Sequence, residues 1–117
     1  MNAGVTPGAG TSASPLVAGS IWLDVDDGGE PSHVVALSGA STIGRDLQCE
    51  VVVYDDEASR QHARLRPTPA GWAVEDLGTT NGTSVNAARI VGPALVRVGD
   101  VIGVGRARCT VVAPPDK

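Results

Sequence analysis

Aromatic residues are scarce in this chain: they make up 3% of its 117 residues, with two Trp, one Tyr and no Phe. A core must therefore be built from Val, Leu, Ile and Ala, with Trp22 and Trp72 as the only large fillers. Cysteine is almost as rare. Cys49 and Cys109 have neither metal-ligand nor Cys-x-x-Cys spacing, and both read as free, semi-buried thiols of a reducing cytosol. No apolar run approaches the ~20 residues that span a bilayer. The N-terminus has no basic stretch followed by an apolar core, so it does not read as a signal peptide. No membrane contact and a cytoplasmic location are expected. Basic residues are in deficit, 9 Lys and Arg against 13 Asp and Glu, for a net charge of -4. That argues against a nucleic-acid binder, which would carry a basic footprint. It leaves room for an anionic ligand, because a local Arg matters more to one small anion than the global sign. Long helical periodicity is missing too.

What the chain does have is Val in short runs, which favours strands. From Ser20 onward these runs alternate with turn signals. Ile21, Leu23 and Val25 alternate with Trp22, Asp24 and Asp26, a period-two strand that turns at Asp27-Gly28-Gly29 into a hairpin partner over His33 to Leu37. Further strands are predicted near 41–44, 50–53, 63–66, 72–75, 83–85, 89–91, 95–98, 101–104 and 108–112, with turns at Pro67 to Gly71 and Gly99-Asp100. Many short strands with Gly, Pro and Asp turns predict an all-β fold, an antiparallel β-sandwich of about eleven short strands. One domain is expected over residues 20–113. Residues 1–19 are nearly all Gly, Ala, Ser, Thr and Pro and predict a flexible, disordered tail or linker, read first as a spacer and alternatively, through Thr6 and Thr11, as a kinase target; 114–117 form a short C-terminal tail.

Four polar segments stand out. Arg45 follows Gly44 at the end of a predicted strand, where a guanidinium can fork two N–H groups onto phosphate oxygens and the glycine frees the backbone to turn. Ser59-Arg60-Gln61-His62 follows the acidic stretch Asp55-Asp56-Glu57. Ser59 can donate its hydroxyl to phosphate, and Arg60 can reach a peptide backbone or a neighbouring acid. His62 invites a catalytic reading with Ser59 as nucleophile. No elbow motif surrounds that serine and no acid is set to orient the imidazole, so a structural His62 that pins the loop through backbone carbonyls is expected. Asn81-Gly82, lying between Val74 and Val85, reads as a tight turn in which both residues tolerate positive φ. A turn does not account for the threonines around it: Thr80 can donate to phosphate, and Asn81 offers both a donor and an acceptor to an extended peptide. Leu95 to Gly99-Asp100 closes the set.

The ordered set Gly-Arg, Ser-x-x-His, Thr-Asn-Gly-Thr and Leu…Gly-Asp resembles the forkhead-associated (FHA) domain over roughly residues 20–112. The resemblance implies an eleven-strand, FHA/SMAD-like β-sandwich and a module that binds phosphothreonine peptides, recruiting a phosphorylated partner in Ser/Thr kinase signalling. It implies that Arg45, Ser59 and Thr80 hold the phosphate and that Arg60 and Asn81 contact the peptide main chain. Gly44, His62, Gly82 and Asp100 would support the site. The partner implied is a phosphothreonine protein, a Ser/Thr kinase or its substrate, bound by a monomer that is not an enzyme and needs no cofactor or metal. The alternative is a scaffold of the same fold acting through phospho-independent contacts or self-association. Two positions depart from the family pattern: Ala87 stands where a Gly commonly follows the Asn, and Ala58 is smaller than the usual aliphatic residue before the Ser.

Overall fold

The structure is a computed structural model that describes residues 19–28 and 31–114. The expected tail with Thr6 and Thr11, apart from residue 19, lies outside the described residues, as do Gly29 and the last three positions. Eleven strands follow in order: β1 Ile21–Asp26, β2 His33–Leu37, β3 Ser41–Gly44, β4 Val51–Val52, β5 Ala63–Thr68, β6 Gly71–Asp76, β7 Thr83–Val85, β8 Ala88–Arg89, β9 Ala94–Val96, β10 Val101–Val104 and β11 Ala107–Val112. They form a six-stranded sheet, β2-β1-β11-β10-β7-β8, and a five-stranded sheet, β9-β6-β5-β3-β4. Ile21, Leu23 and Val25 of β1 point inward, as the alternation predicts, and meet Ile43, Leu65 and Val74 from the opposite sheet. Leu23, Ile43, Leu65, Val74, Ile102 and Val104 are fully buried. Each stabilises the fold by about 1.5–3 kcal/mol of apolar transfer. Trp72 is buried in the core, so one of the two large fillers serves as expected, while Trp22 is only half-buried.

The strand pairing departs from a purely antiparallel sandwich at one place among the described residues. β3 and β4 pair in parallel, with Ile43 opposite Val51 and Gly44 opposite Val52, so the chain must cross back between them through residues 45–50. β5 runs through Pro67 instead of turning there, pairing Pro67 with Trp72 and Thr68 with Gly71. Proline is tolerated because β3 pairs with β5 only as far as Leu65, so no strand on that side asks for the missing N–H. The hairpin turn read at Asn81-Gly82 also moves. β6 and β7 lie in different sheets, so residues 77–82 cross between layers. The two-residue hairpin turn is Asn86-Ala87, with φ of 54° and 72°, between Val85 and its partner Ala88. Hydrogen bonds knit the loops after β3, β4 and β6 to one another, and the β10–β11 turn at Gly105-Arg106 packs against the loop after β4, so all four share one end of the sandwich.

Candidate functional site

The site begins with a glycine that is needed for room rather than for turning. A Cβ on Gly44 would sit 2.1 Å from the Arg60 carbonyl oxygen, and the residue has no positive φ. That close approach lets the loop after β3 zip onto the loop before β5. The Arg45 N–H donates to the Ser59 carbonyl at 2.9 Å, and the Asp46 N–H to the Arg60 carbonyl at 3.1 Å. Arg45 then reaches along the loop and donates its Nε–H to the Ala58 carbonyl at 3.0 Å. The guanidinium is thus held by its inner nitrogen, and its terminal nitrogens have no partner among the described residues. Ser59 is half-buried beside it, with a hydroxyl equally unengaged among the described residues.

His62 is wholly buried and links two loops. Its Nδ1 accepts the Ser59 backbone N–H at 2.9 Å, and its Nε2–H donates to the Gly82 carbonyl at 2.8 Å. Accepting at Nδ1 makes this the neutral Nε2–H tautomer. The contact with Ser59 runs through the main chain and not the hydroxyl, so the pair has no nucleophile and base in line. Of the two ring nitrogens, only one meets a carbonyl; the other meets an N–H.

Asp76, at the end of β6, organises the third loop. Its carboxylate accepts the backbone N–H groups of Gly78 and Thr79, each at 2.9 Å, the Thr79 hydroxyl at 2.6 Å and the Thr83 hydroxyl at 2.8 Å. Burial pushes this carboxyl upward, but the hydrogen bonds from Thr79, Thr83 and Gly78 together outweigh it and hold the group below its ordinary value. The Thr79 hydroxyl oxygen accepts the Gly82 N–H at 2.9 Å, which closes the loop on itself. Gly82 takes φ of 78°, a conformation glycine adopts without strain. Asn81 donates its amide to the Glu57 carbonyl at 2.9 Å, leaving Oδ1 as an unspent acceptor among the described residues. Thr80 is exposed at the tip with its hydroxyl free of partners among the described residues.

Two of the three acids before Ser59 face an arginine. Asp55 is buried, accepts the Arg106 backbone N–H, and lies 4.0 Å from the Arg106 guanidinium. Glu57 lies 3.4 Å from the same guanidinium. Gly105 makes this possible, since a Cβ there would fall 2.5 Å from an Asp55 oxygen. Arg106 is therefore committed to these acids, while Arg64 and Arg108 project from strands, opposite Glu75 and Asp26. Asp100 lies apart from the loop cluster. It accepts from the Asn86 amide and the Arg97 N–H, each at 3.0 Å, at the far end of β10 from Gly105. Those two bonds, led by that from Asn86, hold its carboxyl below the ordinary value. It braces the β7–β8 hairpin against the β9–β10 turn. Cys49 and Cys109 are both free and buried; burial first, and then the charge of Asp27, pushes the Cys109 thiol up to about 12. Among the described residues no three His, Cys, Asp or Glu side chains gather as a metal would require, and no helix is long and apolar enough to cross a membrane.

The structure thus brings Arg45, Ser59, Arg60, His62, Thr80, Asn81 and Gly82 to one end and leaves Asp100 at the other. Sequence reasoning gave no role to Asp76, Thr79, Asp55 or Arg89. A signal existed for Asp76, because Asp followed by Gly and Thr residues is a loop-capping pattern. Arg89 had none: its guanidinium lies against Gly82 only through the fold.

Comparison with known proteins agrees with this fold. The family model for the FHA domain matches residues 41–105. FhaB of Mycolicibacterium smegmatis is 42% identical over 64 residues, 55% of this chain and 41% of the relative. The oxoglutarate dehydrogenase inhibitor of Corynebacterium efficiens is 34% identical over 114 residues, 97% of this chain and 79% of the relative. A solved structure from a structural and functional analysis of phosphothreonine-dependent FHA domain interactions is 32% identical, with a TM-score of 0.68 over 82% of this chain and 98% of that one. Against the FhaB proteins, the chain spans about half of their length.

Proposed function

This chain belongs to the FHA domain family, and from that premise we propose that it is a phosphothreonine-peptide-binding module that recruits a phosphorylated partner in Ser/Thr kinase signalling. One observation carries the reading. His62 and Asn81 cross-link the loops after β4 and β6, the Arg45 and Asp46 N–H groups zip the loop after β3 onto them, and around that junction Arg45, Ser59 and Thr80 keep their outward donors unspent among the described residues. A phosphothreonine side chain carries about -1.5 to -2 charges and three strong acceptor oxygens. Arg45 supplies the charge through its free terminal nitrogens, and Ser59 and Thr80 supply hydroxyl donors. Arg60, exposed and unpaired among the described residues, and Asn81 through Oδ1 read the main chain of the bound peptide. Gly44, His62 and Gly82 hold the loops that carry these groups. Asp76 keeps the third loop in shape without touching the phosphate.

The energetics are modest and sufficient. A micromolar complex requires about 8 kcal/mol, most of which a few charge-assisted bonds at about 1.5–3 kcal/mol each supply. On this reading the domain performs no catalysis of its own and works in the cytoplasm. Its partner is a phosphothreonine protein, a Ser/Thr kinase or that kinase's substrate.

The test is Arg45→Ala against a phosphothreonine peptide library. Binding should be abolished while the circular dichroism spectrum stays intact, because the exposed Arg45 gives up only the bond to Ala58. Unchanged binding by this variant would sink the proposal.

A further inference from the structure

The guanidinium end of Arg89 packs beside Gly82. A Cβ on that glycine would meet Arg89 Nε at 2.3 Å and Cζ at 2.7 Å. Two things put it there. β7 and β8 form a tight hairpin with Ser84 opposite Arg89, and the Ile90 N–H donates to the Thr83 carbonyl at 2.9 Å, which draws the start of the next segment back over Gly82. Arg89 is exposed, and no hydrogen bond or ion pair engages it among the described residues. The contrast with Arg106 is informative. That arginine is 74% exposed and still faces two carboxylates, so this end of the fold does satisfy a cation where one is merely structural.

We infer that Arg89 is a specificity-determining residue of the peptide site, reading an anionic side chain at one position flanking the phosphothreonine. The inference rests on the phosphopeptide reading above. Asn81, tethered to Glu57, directly precedes Gly82, so the Arg89 guanidinium beside Gly82 neighbours the residue that would bond the peptide main chain. The planar fork of Arg89 has unspent N–H donors among the described residues and matches a carboxylate or a phosphoryl group with two parallel N–H bonds. The glycine at position 82 is part of the device, because any side chain there would displace the cation. The chemistry sought is an anion on the peptide, either Asp/Glu or a second phosphoresidue.

The experiment measures affinities of the full chain for phosphothreonine peptides in which each flanking position is in turn Glu, Ala, Lys or phosphoserine. For the wild type, one position should favour an anion over Ala by about threefold to tenfold. In Arg89→Gln that ratio should fall to near one, and in Arg89→Glu the same position should come to prefer Lys. Equal preference for Glu and phosphoserine assigns a carboxylate as a sufficient ligand; preference for phosphoserine alone assigns a second phosphate. A wild type with no anion preference at any position, or a ratio unaltered in Arg89→Gln, overturns the inference. Arg89→Lys, which keeps the charge and loses the fork, should retain part of the ratio and guards against a folding effect of the other variants. Arg45→Ala run beside them separates the two readings: full binding by that variant removes the phosphopeptide site itself, whereas failure confined to Arg89 leaves it standing.

Discussion

His62→Ala is the sharpest perturbation of this architecture. The imidazole is wholly buried and spends both nitrogens on main-chain groups of different loops, at 2.9 Å and 2.8 Å. Truncation leaves the Ser59 N–H and the Gly82 carbonyl without partners, at a cost of about 1–3 kcal/mol for each buried group. Loss of the ring from a fully packed site adds a cavity on top. The sum is at least about 3 kcal/mol, a large share of the ~5–15 kcal/mol that stabilises a domain of this kind. At about 4–8 °C per kcal/mol, Tm should fall by at least about 12 °C. Two further variants divide the loss. An asparagine oxygen falls near the place of Nδ1 and can keep the Ser59 bond, while a glutamine nitrogen falls near Nε2 and can keep the Gly82 bond. His62→Asn and His62→Gln should therefore each recover part of the stability by calorimetry. His62→Asn should recover more of the phosphopeptide affinity by titration, because it restores the loop that carries Ser59. A Tm drop of less than about 4 °C in His62→Ala would refute this account. So would lost affinity at unchanged stability, which would put the imidazole against the ligand.

Asp76→Asn replaces an acceptor of four donors with a group that turns an NH2 toward some of them, and should cost about 1–3 kcal/mol by urea unfolding at pH 7. The sign with pH follows from the lowered value of this carboxyl. Its contribution is fully present above the ordinary aspartate pKa of about 3.9 and is lost as pH falls through the lower folded value, so the wild-type advantage over Asp76→Asn should shrink in strong acid. Ala87→Gly should stabilise the protein by about 0.5–1 kcal/mol, because Ala87 sits at φ of 72° in the hairpin turn and glycine takes that conformation without strain. A Tm at or below the wild-type value would contradict it. Phosphopeptide affinity should weaken as pH drops from about 7.5 to 5, since the second phosphate proton returns near pH 6; flat affinity by titration would count against recognition of the dianion.

Much of the fold was legible because a strand writes its two faces into consecutive residues. Ile21, Leu23 and Val25 alternate with polar neighbours, and the inner three are buried. The short strands at Ser41–Gly44, Thr83–Val85 and Val101–Val104 follow the runs read from the chain. Boundaries went astray where a local signal met a pairing it could not foresee. Pro67 looked like a turn but extends β5 past the reach of β3. Val91 looked like a strand residue but is fully exposed, because the hairpin ends once Ser84 has paired with Arg89. Asn81-Gly82 has hairpin chemistry, yet it bridges two sheets, and the hairpin is closed by Asn86-Ala87 despite its missing glycine.

The sequence by itself determined that this protein is all-β, that its core is aliphatic, and that its polar loop residues occur in the order that resembles the FHA domain. Those properties are local: residue period, turn chemistry and motif spacing. Only the tertiary structure decided which loops meet. His62 reaches Gly82 across 20 residues, and Asn81 reaches Glu57 across 24. It also decided that Gly44 is there for a close approach, that Asp100 braces the opposite end, and that Arg89 lies on Gly82. Such juxtapositions follow from how the two sheets pack and twist over one core, and that packing is a sum of distant contacts that no stretch of chain carries alone.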